Sequence, residues 1–161
     1  MSNDLSEFLS LLRFHRVEFL VIGSHLLALY ARPRFTEDLD VWIRRTEENV
    51  LKLAKALREF GFSIEDEQAL RLAKGRHVLR MGRAPNRIDV LSFNGAVGRE
   101  LDFEAANRRA VEAELMGETV RCLSLTDFVR SKRDAGRPKD LSDLAELESI
   151  LGELPQEPTG G

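Results

Sequence analysis

Two aspartates separated by one residue, Asp38 and Asp40, have the spacing of a metal-binding pair. They lie in DLDVWI (38–43), where polar and apolar residues alternate, which predicts a strand with one covered face. Side chains at positions i and i+2 of a strand share a face, and two like charges there repel unless a cation lies between them. Because Mg²⁺ prefers oxygen ligands, the pair predicts a magnesium site. An exposed strand that simply carries two acids is the alternative.

A third carboxylate, Asp89, lies between apolar residues in RIDVL (87–91), which predicts a second strand. A charge within a strand of this buried type usually has a partner or a chemical role. If the three carboxylates converge, they can hold two metal ions and support in-line phosphoryl transfer.

Gly23 and Ser24 join an apolar strand, VEFLVIG (17–23), to a predicted helix, SHLLALYAR (24–32). Free backbone N–H groups at such a helix start favour phosphate, and we expect Ser24 to cap the helix. An ordinary strand-to-helix turn is the alternative. The glycine patterns of dinucleotide-binding folds and of P-loops do not occur, so neither class is supported.

Two segments are rich in basic residues. The first contains no acid and holds Arg71, Lys74, Arg76, Arg80, Arg83 and Arg87. It is interpreted either as a rim that faces the nucleotide or a phosphate-bearing acceptor such as tRNA, or as a solvated hairpin. The second holds Arg130, Lys132, Arg133, Arg137 and Lys139. These residues either contact phosphate or cap helices and pair with nearby acids.

The composition predicts a soluble globular protein: 43% of the 161 residues are hydrophobic and 32% are charged. The net charge of −3 does not indicate a generally basic nucleic-acid binder. Cys122 is the single cysteine, which excludes a disulfide framework and a cysteine zinc site. No membrane span or signal peptide is recognised, so a cytoplasmic location is predicted. One domain over 1–154 and a disordered tail over 155–161 are expected.

Hydrophobic periodicity and turn residues predict the remaining elements. We expect helices over 4–15, 46–60, 66–73, 125–134 and 139–151, and hairpins over 76–93 and 110–124. Thr46 with Asn49 is expected to begin the second of these helices, and Gly61 to end it. The order predicts an α+β (mixed α/β) fold with a central mixed sheet flanked by helices.

Taken together, these residues resemble a known pattern. Gly23-Ser24, thirteen further residues, Asp38-Leu39-Asp40 and a later Asp89 resemble the nucleotidyltransferase superfamily related to DNA polymerase beta. The segments LTDF (125–128) to Lys132, GRPKD (136–140) and Asp143-Leu144 are similar to the closing part of AbiEii-type toxin nucleotidyltransferases and their minimal bacterial relatives. The resemblance covers residues 17–151.

The resemblance implies a nucleotidyltransferase fold and a role for each matching residue. Asp38 and Asp40 would bind two Mg²⁺ ions, and Asp89 would be the third metal-binding carboxylate, which activates the acceptor hydroxyl. Gly23 and Ser24 would hold the phosphates of a nucleoside triphosphate such as ATP. The C-terminal motif would add nucleotide contacts through Lys132, Arg137 and Lys139.

The leading hypothesis is a magnesium-dependent nucleotidyltransferase that transfers a nucleoside monophosphate to a hydroxyl of tRNA, protein or a small molecule. One alternative is a non-catalytic, partner-binding regulatory protein, such as one half of a toxin–antitoxin pair. Another is an antibiotic-modifying enzyme with the same chemistry. A homodimer that completes the nucleotide site is a further expectation.

Overall fold

A computed structural model describes residues 3–31, 38–82 and 87–156 of the chain. Three predicted features lie outside these ranges: the helix end at Pro33, the turn over residues 83–86 and most of the tail beyond residue 154. The basic residue Arg83 and the segment 34–37, which precedes Asp38, also lie outside them.

Seven helices and six strands occur in the described ranges. The helices are α1 (Asn3–Phe14), α2 (Ser24–Tyr30), α3 (Glu47–Phe60), α4 (Asp66–Arg71), α5 (Phe103–Arg109), α6 (Leu125–Ala135) and α7 (Pro138–Leu151), with a 3₁₀ turn at Leu72–Lys74. The strands are β1 (Phe19–Ile22), β2 (Leu39–Ile43), β3 (Val78–Met81), β4 (Ile88–Leu91), β5 (Val111–Leu115) and β6 (Glu118–Cys122). None of the helices in these ranges combines the length and apolar character that crossing a membrane requires.

The six strands form one mixed sheet in the order β3-β4-β2-β1-β6-β5. β2 pairs with β4 and β1 pairs with β6 in parallel, whereas the other neighbours are antiparallel. All four residues of β1 are buried, so both faces of the sheet are covered at its centre. The predicted fold class, a mixed sheet flanked by helices, is confirmed.

Helix α3 shows how local sequence signals position an element. The Thr46 side chain accepts a hydrogen bond from the backbone N–H of Asn49 at 3.2 Å, and Gly61 ends the helix in the left-handed region. The predicted apolar stripe is fully buried in the core, and it consists of Val50, Leu53, Ala54 and Leu57. The ring of Phe60 also meets Phe8 of α1 edge-on, so α1 and α3 pack against each other.

Asn49 connects α3 to the two central strands. Its Oδ1 accepts from the backbone N–H of Glu18 at 2.7 Å, and its Nδ2 donates to the carbonyl oxygens of Glu18 and Arg44, both at 2.9 Å. Glu18 directly precedes β1 and Arg44 directly follows β2. The buried amide therefore binds backbone groups at one end of the β1–β2 strand pair, and Asp38 and Asp40 lie at the other end.

Two sequence expectations need correction. Ser24 does not cap α2: Gly23 occupies the cap position, makes no side-chain bond, and Ser24 is the first helical residue. Helix α5 was not predicted, because its seven residues are too few to show a periodic stripe. Its start is nevertheless capped, since Asp102 accepts from the backbone N–H of Ala105 at 2.9 Å.

We predict that Asn49→Ala lowers the free energy of unfolding by about 2–3 kcal/mol, because it removes three partly buried hydrogen bonds to the backbone of Glu18 and Arg44. Urea denaturation followed by circular dichroism measures the change. Lys55→Ala, at an exposed position of the same helix, is the control and should change the value by less than about 0.5 kcal/mol. Equal stabilities of the two variants would contradict the prediction.

Candidate active site

The parallel pairing of β2 with β4 brings the three predicted carboxylates together. Asp40 and Asp89 are register partners on these strands, so their side chains share a face of the sheet. Asp38 directly precedes β2, and its negative charge acts on Asp40. Asp89 is buried, whereas Asp38 and Asp40 are partly exposed. Asp89, which is distant in sequence, therefore joins Asp38 and Asp40 in one cluster at one end of the sheet.

Gly23 brings the strand-to-helix turn against this cluster. It follows Ile22, which is the register partner of Asp40. Its backbone angles, φ 80° and ψ −152°, fall in a region that only glycine adopts readily. A Cβ at Gly23 would overlap the Oδ2 atom of Asp40. Glycine is therefore required twice, by its backbone conformation and by its contact with Asp40, and the turn lies beside the carboxylates as predicted from the sequence.

The electrostatic state of Asp40 reflects its crowding. Burial, together with the negative charges of Asp89 and Asp38, raises the pKa of Asp40 to about 6. The positive charges of Arg87 and Lys139 oppose this shift. A carboxyl group in this condition gains from any cation placed beside it.

Two arginines from the first basic segment already act as counterions. Arg80, the register partner of Asp89 on β3, holds it with two hydrogen bonds, Nε to Oδ1 at 2.9 Å and Nη2 to Oδ2 at 3.2 Å. Arg87 donates from Nη2 to Oδ2 of Asp38 at 3.1 Å. The other oxygen of Asp38, Oδ1, is buried and has no hydrogen-bond partner among the residues that the structure describes. The sequence showed these arginines only as parts of a charged run, and their partners follow from the strand order.

Arg76, a further residue of the first basic segment, has its partners away from the carboxylates. Arg76 pairs with Glu100 at 2.7 Å and lies over the ring of Phe93, 3.9 Å from its centroid.

His25, which follows the Gly23 turn, is a buried residue of α2. Burial lowers the pKa of His25, although nearby Asp38 opposes the shift, so the ring is neutral at neutral pH.

The C-terminal motif forms a second charged cluster, built on Asp140. Arg137 binds its carboxylate through Nε at 2.7 Å and Nη2 at 3.2 Å, and Lys132 binds it at 3.3 Å. Lys132 also pairs with Asp143 at 2.9 Å. Burial opposes the effect, but these hydrogen bonds hold the pKa of Asp140 below its ordinary value. The open alternative of ion pairing with neighbouring acids is therefore observed for Lys132 and Arg137. Lys139 is exposed, and its charge acts on Asp40.

A cavity of about 490 Å³ is lined by Gly23 on one side and by the Asp140 cluster on the other. Its apolar wall includes Ile22, Leu91, Leu123 and Phe128, and its polar boundary includes Lys132 and Asp140. Gly23 also lines it, so one end of the cavity adjoins the carboxylates. The volume lies in the range of small-molecule sites. Trp42 does not contribute to the lining: it is buried in the core against Phe103, with ring centroids 5.0 Å apart.

The donor set fits a hard divalent cation, although the side chains are not arranged as a finished site. Among residues 3–31, 38–82 and 87–156, no three acidic, histidine or cysteine side chains form a ready metal-binding group. The physical reason is that Arg80 holds both oxygens of Asp89 and Arg87 holds one oxygen of Asp38. The unpartnered Oδ1 of Asp38 and the raised pKa of Asp40 mark the place where positive charge is lacking.

Comparisons with known proteins agree with this fold and family pattern. The chain is similar in fold to a candidate nucleotidyltransferase from Thermotoga maritima (TM-score 0.58, 19% identity, 90% of each chain covered). It is also similar to the antibiotic-resistance factor ANT(2'')-Ia (TM-score 0.58, 14% identity, 93% of this chain and 83% of that one). A third similar structure is the lincosamide antibiotic adenylyltransferase LnuA bound to lincomycin (TM-score 0.56, 14% identity, 93% and 98% covered).

At these identities the three structures establish the fold alone. We find no match among curated protein sequences. Residues 1–157 match the family described as "Nucleotidyl transferase of unknown function (DUF2204)". The match covers nearly the whole chain. The chain belongs to this nucleotidyl transferase family and is a transferase enzyme.

Proposed function

We propose that the chain transfers a nucleoside monophosphate from a nucleoside triphosphate to a hydroxyl group of an acceptor, with divalent metal ions held by Asp38, Asp40 and Asp89. The observation that carries the proposal is the register of β2 and β4, which aligns Asp40 with Asp89 beside the Gly23 turn. The family match and the fold support the same reaction class.

The chemistry of these side chains supports magnesium as the metal. All three are carboxylates, the ligand type that Mg²⁺ prefers, and one oxygen of Asp38 has no hydrogen-bond partner within the described part of the chain. Two bound Mg²⁺ ions would supply positive charge to neutralise the transferring phosphoryl group and the leaving pyrophosphate. Arg80 must release an oxygen of Asp89 before this residue can serve as a ligand, whereas Arg87 binds only one of the two oxygens of Asp38.

The reaction that follows is an in-line displacement at the α-phosphorus. The acceptor oxygen forms a bond to this phosphorus, and the bond to the bridging α,β-oxygen breaks, with its electron pair leaving on pyrophosphate. Asp89 takes the hydroxyl proton and passes it to water. The products are the nucleotidylated acceptor, pyrophosphate and one proton.

The nucleotide is proposed to lie along the turn and into the adjoining cavity. Backbone N–H groups at Gly23 and Ser24 would face the phosphates, and the apolar wall around Ile22 and Phe128 would receive the nucleoside. Lys139 is exposed and acts on Asp40, which suits a phosphate contact. Lys132 and Arg137 would contribute from the boundary of the cavity while remaining bound to Asp140.

The finer identity of the substrates stays a prediction. ATP as the donor, and tRNA, protein or a small molecule as the acceptor, are expectations from the sequence. The similar antibiotic adenylyltransferases make a small-molecule acceptor plausible for this chain too. A toxin–antitoxin partner, a homodimer, a single domain over 1–154 and a cytoplasmic location also stay predictions.

We predict that Asp40→Asn lowers the rate of nucleotidyl transfer by at least about 100-fold, because the amide cannot neutralise a metal ion. The measurement is transfer of label from each α-labelled nucleoside triphosphate, with Mg²⁺, into the RNA, protein and small-molecule fractions of a cell extract. Asp66→Asn, a change from the same residue type at an exposed position on α4, is the matched control. Full transfer by the Asp40 variant would disprove the proposed function.

The raised pKa of Asp40 predicts a pH-dependent stability difference. Because the folded-state pKa, about 6, exceeds the ordinary value of 3.8, Asp40 favours folding below pH 4 and loses this contribution as the pH rises through 6. Without metal, Asp40→Asn should therefore become more stable than the wild type by about 1–3 kcal/mol near pH 7.5. Urea denaturation at pH 4 and pH 7.5 measures the difference. A difference that shrinks with rising pH would contradict the assignment.

We predict that Gly23→Ala destabilises the fold by about 1–3 kcal/mol and also abolishes most transfer, because the new methyl group displaces the Asp40 carboxylate. Gly117→Ala is the control: Gly117 has a similar positive φ of 81°, but a Cβ there meets no atom within 4 Å. The control should lose stability and keep transfer. Retained transfer in the Gly23 variant, measured with the labelling assay, would show that the turn does not position Asp40.

A further inference from the structure

Four neighbouring strands place the reactive groups in a row across the sheet. The order is the Gly23 turn after β1, Asp40 on β2, Asp89 on β4 and Arg80 on β3. Adjacent strands are about 4.8 Å apart, so Gly23 and Arg80 lie on opposite sides of the carboxylates. The row therefore has a phosphate-binding end and an arginine end.

In-line displacement gives this order a chemical meaning. The attacking oxygen and the leaving oxygen lie on opposite sides of the reacting phosphorus. If the pyrophosphate leaves over Gly23, the acceptor approaches from the side of β3. This step rests on the proposed function, because it assumes that the turn holds the phosphates.

The face of β3 that the acceptor would meet is open and basic. β3 is an edge strand, and its residues alternate between Val78 and Arg80 on one face and Leu79 and Met81 on the other. Met81 is buried, whereas Val78 is 47% exposed and the Arg80 side chain is 57% exposed. No acidic residue occurs between Glu67 and Asp89 in the sequence. A phosphate group that takes the place of Asp89 would thus find the Arg80 guanidinium accessible at this face.

Arg80 also controls the availability of Asp89. Its two-point contact occupies both oxygens of the carboxylate that is proposed to take the acceptor proton. The planar guanidinium that fits a carboxylate fits a phosphate group equally well. A phosphate on the acceptor can therefore take Arg80 from Asp89 and leave Asp89 free to act.

We propose that Val78 and Arg80 form the acceptor subsite, that this subsite takes an acceptor with a phosphate group near its reactive hydroxyl, and that Arg80 binds this phosphate. Arg80 is then the specificity-determining residue. A polycationic acceptor such as an aminoglycoside carries no phosphate for Arg80 to bind and does not fit this subsite.

The direct test measures acceptor binding without nucleoside triphosphate. The probes are a labelled single-stranded RNA hexamer and a ribonucleoside 5′-monophosphate as phosphate-bearing ligands, and an aminoglycoside as the cationic ligand. Arg80→Ala should weaken binding of a phosphate-bearing probe about tenfold, and Arg80→Lys should weaken it less. If the hexamer is the better probe, loss of one contact should reduce the slope of log affinity against log salt by about 0.7. Which of the two probes binds distinguishes a nucleic-acid acceptor from a small phosphorylated one.

Arg13→Ala is the matched control, because Arg13 is also an exposed arginine in an ion pair, with Glu118 at 3.0 Å, on α1. It should leave the affinity for both phosphate-bearing probes unchanged. Tighter binding of the aminoglycoside than of either phosphate-bearing probe, or equal affinities of Arg80→Ala and the wild type, would overturn the proposal.

The affinity for Mn²⁺ distinguishes the proposed role of Arg80 from a purely structural one. Removal of Arg80 frees Asp89, so Arg80→Ala should bind Mn²⁺ several-fold more tightly while it binds the phosphate-bearing probe less tightly. Electron paramagnetic resonance measures the free Mn²⁺. A variant that is only misfolded would lose both affinities, and Arg80→Lys, with its charge kept, tests the same point if Arg80→Ala does not fold.

Asp40→Asn keeps the two proposals distinguishable. It should bind the phosphate-bearing probe as the wild type does and fail to transfer nucleotide. If it still transfers, the proposed function is wrong. If it does not transfer but Arg80→Ala binds the probe normally, only the acceptor subsite is wrong.

Discussion

Asp40 and Asp89 occupy matching positions on two parallel strands, and this register forces two negative charges together beside a third, Asp38. Desolvation and mutual repulsion both disfavour the charged form of these carboxylates, and they raise the pKa of Asp40 to about 6. Neighbouring basic residues offset part of this electrostatic cost. Arg80 and Arg87 neutralise the flanking carboxylates, whereas the central one, Asp40, lies against a glycine turn and pairs with no arginine in the ranges 3–31, 38–82 and 87–156. The place that lacks positive charge is thereby confined to the centre of the cluster.

The register itself is maintained by the apolar side of the same strands. Leu39 and Val41 alternate with Asp40 and are fully buried, so a slip of one residue would move the carboxylate into the core and expose leucine and valine. At the opposite end of the β1–β2 pair, the Asn49 amide holds the backbone at Glu18 and Arg44. The chemistry is thus positioned by packing and by hydrogen bonds that do not themselves touch the site.

In the Asp140 cluster, basic side chains also neutralise a buried carboxylate, but here the pairing connects two helices. A buried carboxylate binds Arg137 and Lys132, and the hydrogen bonds join the end of α6 to the start of α7. Both cations are paired with acids within the chain, whereas Lys139 is exposed with its charge acting on Asp40. Lys132 and Arg137 therefore differ from the nearby Lys139 in what they offer a ligand, because the Asp140 carboxylate lies between the first two and binds both.

Local patterns in the sequence determined the elements and the reactive residues: the Thr46–Asn49 cap, the α3 stripe, both hairpins and the three aspartates depend on short spacings that a linear reading can recognise. Helix α5 was missed because seven residues carry too little periodicity. The tertiary structure alone decided the order of the strands, and with it the pairing of Arg80 with Asp89, of Arg87 with Asp38 and of Gly23 with Asp40. These contacts join residues on different elements, up to 49 positions apart for Arg87 and Asp38. A sequence displays which charges exist, but only the folded sheet decides which of them meet and which remain free to bind a substrate.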